Sequence, residues 1–557
     1  MNDVNDTWTA LLQPAARSRL ASLLLEYVLP RRWFRAKSRT PRGAQIADLI
    51  PLDGPRGADG VGAPAANWLA LLAITYDAGA GDFYVIPLAK VDRARADVLR
   101  RTTPHAIIAP VACDGDAADE AAMVDGLATG QAAHGLLDVI LADREIRGLH
   151  GSLRGKAFPE ASARGRAVSS ERLAVTVPKV EQTNSTLVFE DHLLIKIYRQ
   201  VTAGPNPELE VGRFLTTHCD PPCAPRVLGA LSYETPAGEV WNVGIAHEYL
   251  ANDGDAWSLA MRELRAYFDR ASDAIAGGDT SPPARRTAIA ALIGRFYTLA
   301  QTLGRRTGQL HLALAGGAEG NGDTLFAPEA LTPADRLAMV ERAATMLQEA
   351  LLALEKTTDT LGPEAHAIAD SLRPNMNARA CLTALLLRCL QHPLSVVKTR
   401  IHGDLHLGQV LSRGDDFVII DFEGEPTRPL EERRAKTSPL RDVTAMARSF
   451  DYAAEAVLRE VAAGPERRRA LEPWAALWTR EVTGAYLNAY LATVKAASFI
   501  PERTEDLKLL MTFHELEKVI YELAYEINNR PDWIEIPLRG LARLAGESAG
   551  RSGNNHA

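Results

Sequence analysis

Near residue 250 the apolar pattern of the chain changes its period, and this change constrains the fold more than any other feature. Before it, apolar residues alternate with polar ones or run in short blocks, as in LAVTV (173–177), STLVFE (185–190), LLIKIYR (193–199) and EVWNVGIAHEYL (239–250). Alternation of this kind predicts strands, and EDH between the second and third runs reads as a tight turn, so these segments form a meander. After residue 255 come MRELRAYFDRASDAI, AIAALIGRFYTLAQTLGRRTGQLHLALA and DRLAMVERAATMLQEALLALEKTT. Their apolar residues recur at helical spacing, which predicts long amphipathic helices. The expected class is α+β, with a mostly β lobe followed by a large, mostly α lobe.

A chain of 557 residues is too long for one core. The start carries a helical pattern, LASLLLEYVL (20–29), then RRWFRAKSR (31–39) and strand-like runs AQIADLIPL, NWLALLAITY and FYVIPLA. We expect a small α+β module over 1–95, a connecting segment plus the β lobe over 96–250, and the α lobe over 251–557. Trp33 and Phe34, if buried, would anchor the first module onto the rest. The net charge of −8 argues against nucleic acid as a partner, because neutralising phosphates needs a basic surface. Five cysteines, an odd number, suit reduced thiols in a cytoplasm; HCDPPC (218–223) offers too few ligands for zinc and reads as a proline turn. No signal peptide and no membrane span are expected.

Two polar interruptions of apolar sequence carry chemistry. Lys196 sits inside the strand LLIKIYR, where a buried ammonium needs an anionic partner. NPELEVGRFL (206–215) begins like a helix, with Asn206 as cap and Pro207 behind it, and supplies Glu208 and Glu210. A strand lysine paired with a helix glutamate holds ATP phosphates in protein kinases. In IHGDLHLGQVL (401–411), His402, Asp404 and Gln409 have the offsets of the kinase H-R-D-x-x-x-x-N, and FVIID (417–421) ends in Asp421 followed by Phe422, as in D-F-G. Gln409 and Asp421 would then be hard oxygen ligands for Mg²⁺, and Asp404 a base for an acceptor hydroxyl. The turn KVEQTNSTLV (179–188) has no glycine. Gln182, Thr183, Asn184, Ser185 and Thr186 either offer donors to phosphate there or form a plain polar hairpin turn.

These residues resemble bacterial maltokinases, a branch of the kinase-like superfamily that also holds aminoglycoside phosphotransferases and choline kinases. The resemblance runs through RRWFRAKSR, EQTNST with IKIYR, NPELEVGRFL, HGDLHLGQVL, DFEGEPTRPLEERRAKTSPLRDV and LEKVIYELAYEINNRPDWIEIPL. It implies a bilobal protein-kinase-like fold with an N-terminal cap, using ATP and Mg²⁺ to phosphorylate maltose at its anomeric hydroxyl for α-glucan synthesis. By resemblance, Lys196 binds phosphates with Glu210 as partner, and Glu248, Tyr249 and Leu250 follow His247 in a hinge facing adenine. Asp404 is the base, Gln409 and Asp421 hold Mg²⁺, and His402 and Asp442 support the loop; for Asp442 an ordinary helix cap is an equal reading. His406, with Glu517, Tyr521, Glu522 and Tyr525 from the C-terminal helix pattern, would bind the sugar. A glucosamine kinase, or a silent partner of trehalose synthase, are the competing readings.

Overall fold

In the computed structural model, residues 7–37, 39–52, 65–112, 120–159, 173–177, 183–219, 222–278, 281–283, 286–318, 324–357, 361–372, 376–391 and 394–553 are described. They separate into two units, Met1–Thr216 with Pro225–Ala251, and Thr217–Ala224 with Asn252–Ala557.

The first unit opens with α1 (Arg17–Val28), β1 (Pro41–Pro51), β2 (Asn67–Tyr76), β3 (Asp82–Asp92), α2 (Arg93–Thr102), β4 (Ile107–Ala112), β5 (Glu120–Asp125) and α3 (Gln131–Leu141). It continues with β6 (Glu145–Arg147), β7 (Ser152–Ala157), β8 (Val175–Thr176), β9 (Ser185–Phe189), β10 (Leu193–Ile197) and β11 (Gln200–Val201). Helix α4 (Pro207–His218), β12 (Val227–Glu234) and β13 (Val240–Glu248) complete it. The strands form two antiparallel sheets, β1-β2-β3-β5-β4 and β6-β7-β12-β13-β10-β9-β8.

Strand β2 explains why NWLALLAITY is apolar nearly throughout. Ala70, Leu72 and Ile74 pack under α1 with Leu20, Leu24, Val28, Trp33 and Phe34. Leu69 and Leu71, on the opposite face, share a core with Leu136, Leu137 and Ile140 of α3 and with Leu187, Phe189, Ile195 and Ile197 of the second sheet. A strand buried on both faces cannot alternate. The chain passes from one sheet to the other at Arg199: β10 ends just before it, and β11 just after it pairs with β3. The Arg199 carbonyl accepts from the Val85 N–H at 2.8 Å, and its guanidinium lies 5.1 Å from the Trp33 ring. Trp33 and Phe34 are buried in the core under α1, and Trp33 meets Arg199 just after the strand that carries Lys196.

The second unit contains α5 (Ala256–Ala276), α6 (Arg295–Ala315), β14 (Glu329–Ala330), α7 (Pro333–Thr357), β15 (Val397–Lys398), β16 (Val410–Arg413) and β17 (Asp416–Ile419). These are followed by α8 (Leu440–Val461), α9 (Pro465–Thr493), α10 (Thr504–Asn529) and α11 (Glu535–Gly553). The run AIAALIGRFYTLAQ is not one helix: it breaks at Gly294, whose φ of +75° leaves the right-handed region. Helices α6 and α9 approach closely at Gly304, where a Cβ would lie 2.2 Å from the Tyr486 carbonyl oxygen. Apolar faces of α7, α10 and α11 close one core through Leu347, Phe513, Val519, Leu523 and Leu541. Helix α8 is buried along much of its length, from Leu440 to Leu458. Cys219, Cys223 and Cys389 are in no disulfide, and the Cys219 thiol donates to Cys223 Sγ at 2.6 Å. No helix among the described residues is long and apolar enough to cross a membrane.

Candidate active site

In the first unit, alternation along β10 sends Ile195 and Ile197 into the core and Lys196 to the other face, beside Thr186 of β9. Lys196 Nζ donates to Glu208 Oε2 at 2.8 Å, the Tyr198 hydroxyl donates to the same oxygen at 2.8 Å, and His247 Nε2 lies 3.7 Å from Oε1. The partner is therefore Glu208, and the expectation of Glu210 is corrected. Asn206 Oδ1 accepts from the Glu208 N–H at 2.8 Å and fixes where α4 starts. From that start, helical phase turns Glu208, Val211, Gly212 and Leu215 inward and leaves Glu210 half-buried. Burial by itself would raise the Glu208 pKa; Lys196 and His247 outweigh it and hold the carboxyl down at about 2.

Gln182 lies outside the described residues. Thr183 is exposed, and Asn184 and Ser185 are half-buried. The Ser185 hydroxyl accepts from Arg199 Nε at 2.7 Å, so its side chain serves the face away from Lys196 and is not a donor beside it. At the end of β13 the Glu248 carboxylate accepts from the Arg226 N–H at 3.1 Å and is 5% exposed, so it secures the strand end. The Tyr249 N–H donates to the His192 carbonyl at 3.1 Å, and Tyr249 and Leu250 are half-buried as the chain leaves the unit.

In the second unit the 402–409 loop hangs from Asp442. Its two carboxylate oxygens accept from the His402 N–H at 2.8 Å and the Gly403 N–H at 2.9 Å, and His311 Nε2 approaches at 3.1 Å. Asp442 lies inside the first turn of α8, behind a Pro439 cap, so it holds the loop and does not cap the helix. Burial would raise its pKa, but His311 and the loop amide outweigh it and the carboxyl is lowered. His402 Nε2–H donates to the Ile420 carbonyl at 2.9 Å while Nδ1 accepts from the Asp404 N–H at 3.2 Å, which fixes both the tautomer and the backbone before Asp404. Gln409 Nε2 donates to Asp421 Oδ2 at 2.9 Å. Asp421 adopts φ +67°, a conformation that costs about 1–3 kcal/mol for a non-glycine residue and is held by its surroundings. The Ile420 N–H donating to the Gln409 carbonyl at 2.9 Å is one such restraint. The Asp421 carboxylate, with the oxygen carried by the neighbouring Gln409 amide, is a hard donor set of the kind Mg²⁺ takes.

Beside Asp404 stands a cation that sequence reasoning missed. Lys518 Nζ, on α10, is 3.6 Å from Asp404 Oδ1 and donates to Glu425 Oε1 at 3.0 Å. Glu425 also accepts from Arg428 and Arg441, each at 2.6 Å. Burial would lower the Lys518 pKa, but Glu425 and Asp404 outweigh it and keep the ammonium charged. The same cations overcome burial at Glu425 and hold it at about 2. The density of acids and arginines in DFEGEPTRPLEERR was the available signal.

Two sugar-site expectations are corrected by this network. Glu517 is taken up by Arg428 at 3.1 Å and His514 at 3.2 Å, and Glu522 accepts Arg448 Nε and Nη2, the latter at 2.7 Å. Both face the interior because α10 buries that side. Tyr521 and Tyr525 stack with centroids 6.3 Å apart, Lys518 Nζ lies 4.6 Å from the Tyr521 ring and the Arg530 guanidinium 5.4 Å from the Tyr525 ring, and Tyr525 is 39% exposed. His406 Nδ1 accepts from the Gly408 N–H at 3.0 Å, and burial, partly opposed by Asp404, pushes its pKa down. The neutral ring then carries its proton on Nε2, as a donor.

No protein-family model matches the chain. Its sequence relatives are sugar kinases: a glucosamine kinase of Streptacidiphilus jiangxiensis is 29% identical over 151 residues, 26% of this chain and 32% of that protein. Another, from Mycolicibacterium smegmatis (strain ATCC 700084 / mc(2)155), is 25% identical over 368 residues, 66% of this chain and 79% of that protein. The chain also superposes on a glucosamine kinase solved with glucosamine, ADP and inorganic phosphate, with TM-score 0.55 and 18% identity over 93% of this chain and 98% of that one. A second crystal form of glucosamine kinase gives TM-score 0.56 and 19% identity over 96% and 98%. The fold is kinase-like α+β.

Proposed function

We propose that this chain is an ATP-dependent sugar kinase and that its acceptor is a neutral sugar, with maltose, phosphorylated at the anomeric hydroxyl, as the leading candidate. The observation that carries the kinase reading is the loop hung from Asp442, which presents Asp404 and pairs Gln409 with Asp421. Lys196, held by Glu208, would take nucleotide phosphates, and residues 247–250 would face adenine. Asp404 would accept the proton of the acceptor hydroxyl as its oxygen bonds to the γ-phosphorus and the bond to ADP breaks. Gln409 and Asp421 would hold Mg²⁺, which when bound neutralises phosphate charge. The parts 1–95, 96–250 and 251–557 would act as cap, nucleotide lobe and acceptor lobe.

The charge around Asp404 favours a neutral acceptor. An amino sugar wants an unengaged carboxylate, whereas Glu425 and Glu517 are already paired with cations and Lys518 stands 3.6 Å from Asp404. His406 would supply a donor, and the phenols of Tyr521 and Tyr525 polar edges, that suit a polyhydroxylated ring. Glucosamine is the second reading, favoured by the names of the relatives. The test is kcat/KM with ATP and Mg²⁺ on maltose, glucose and glucosamine, with the product identified by NMR. We expect maltose 1-phosphate; turnover restricted to glucosamine would keep the mechanism and replace the substrate. Trehalose synthase as a binding partner is a separate proposal, tested by co-purification.

A further inference from the structure

The first unit contains a cavity of about 330 Å³ at the start of β9, walled there by Asn184, Ser185 and Thr186. Ser185, Leu187 and Phe189 point to one side of β9, and Thr186, opposite Lys196, to the other, so the cavity lies at the edge between the two faces. The cavity is bounded by α2, the segment after β5 and the start of β9, with Arg95, His105, Arg199, Thr103, Thr129 and Asn184 among its walls.

Its chemistry is that of an anion site. Three basic side chains and one carboxylate, Asp125, line it, and that carboxylate is already paired with Arg199. Asp125 Oδ2 accepts from Arg199 Nη2 at 2.6 Å and from the Tyr27 hydroxyl at 3.0 Å, while Oδ1 accepts from the Leu127 N–H at 3.1 Å. Arg199 is 4% exposed and its Nε is used by Ser185, yet its Nη1 has no hydrogen-bond partner among the described residues. That Nη1 is itself buried, so a phosphate oxygen reaches it when the guanidinium turns toward the cavity, while the exposed Arg95 offers its fork directly at the wall. The Thr103 hydroxyl, and the oxygen of Thr129 whose proton goes to the Gly126 carbonyl at 2.7 Å, add neutral groups of the kind that bind sugar hydroxyls. The volume lies near the lower end of the roughly 300–1,000 Å³ range of small-ligand sites.

We infer that this cavity binds a small phosphate-bearing molecule, of the sugar-phosphate class, in addition to any nucleotide held by Lys196. Arg199 is the bend between the two sheets, so the bound phosphate braces the bend and, through Ser185, the start of β9. The inference does not depend on whether the chain transfers phosphate.

The test is titration calorimetry on the full chain with glucose 1-phosphate, inorganic phosphate and maltose as probes. A non-hydrolysable ATP analogue and Mg²⁺ are kept saturating, so that a nucleotide phosphate site is filled. Arg95→Ala changes an exposed side chain and leaves the core intact; Arg199→Lys keeps the charge beside Asp125 but removes the fork. We expect glucose 1-phosphate to bind one per chain, at least about tenfold weaker in either variant, and maltose to show no dependence on Arg95. Tighter binding of glucose 1-phosphate than of inorganic phosphate supports a sugar phosphate. Equal binding of the two, still lost with Arg95, supports free phosphate at the same site. Unchanged affinity in both variants, or no binding of either anion, overturns the inference.

Discussion

Glu208 and Glu210 differ by two positions in one helix, and their contrast is the sharpest residue-scale test. Glu208 shares a hydrogen-bonded, nearly buried pair with Lys196, whereas Glu210 lies half-buried. Glu208→Gln is expected to raise KM for ATP about tenfold or more, because the ammonium loses a charge-assisted partner worth roughly 1.5–3 kcal/mol. Glu210→Gln should leave KM for ATP within about twofold, because the pair with Lys196 is made by Glu208; steady-state kinetics on both variants checks this. Sequence alone supplied both acids but not the choice. The choice rests on helical phase, which Asn206 sets by capping α4. Lys518 was harder to see, because a lysine in LEKVIYEL looks like a solvated face until α10 is known to bury it.

At the scale of elements, the 402–409 loop is positioned by α8 and α6 and not by its own sequence. Asp442 and His311 come from different helices, and only the loop-side offsets His402, Asp404 and Gln409 could be read along the chain. Asp442→Asn replaces two charge-assisted acceptors for buried amides, so we expect a stability loss of about 2–3 kcal/mol. The expected readout is a lower chemical-denaturation midpoint together with reduced kcat. The strands of the β lobe were legible because alternation survives wherever one face is polar. Helix α10 was legible as a helix but its buried face was not, since Leu516, Val519, Ile520 and Leu523 are buried beside Glu522 and Glu526. A helix buried on both an apolar and an ionic side gives no clean stripe, and the glutamates assigned to sugar were in fact paired with arginines.

Across the whole molecule, each unit carries a buried carboxylate held at about 2, Glu208 in the first and Glu425 in the second. Both are depressed below the unfolded value, so their stabilisation is present above about pH 4.5 and is lost as pH falls toward about 2. Calorimetry should show Tm falling steeply across that window. Glu425→Gln should lie lower at neutral pH, by about 3–5 kcal/mol for cations left uncompensated, and should flatten the acid dependence. The α+β class was readable from the change of apolar period near residue 250. The sharing of one core by two sheets was not, because β11 is two residues long and its pairing with β3 leaves no trace in composition.

The most direct test of the central claim is phosphate transfer from ATP with Mg²⁺ to maltose, comparing wild type with Asp404→Asn and measuring nucleotide binding in parallel. Our account predicts a phosphorylated sugar from the wild type, turnover reduced by about 10²–10⁴-fold in the variant and nucleotide affinity unchanged. No transfer to maltose, glucose or glucosamine by the wild type, or full turnover by Asp404→Asn, would contradict it.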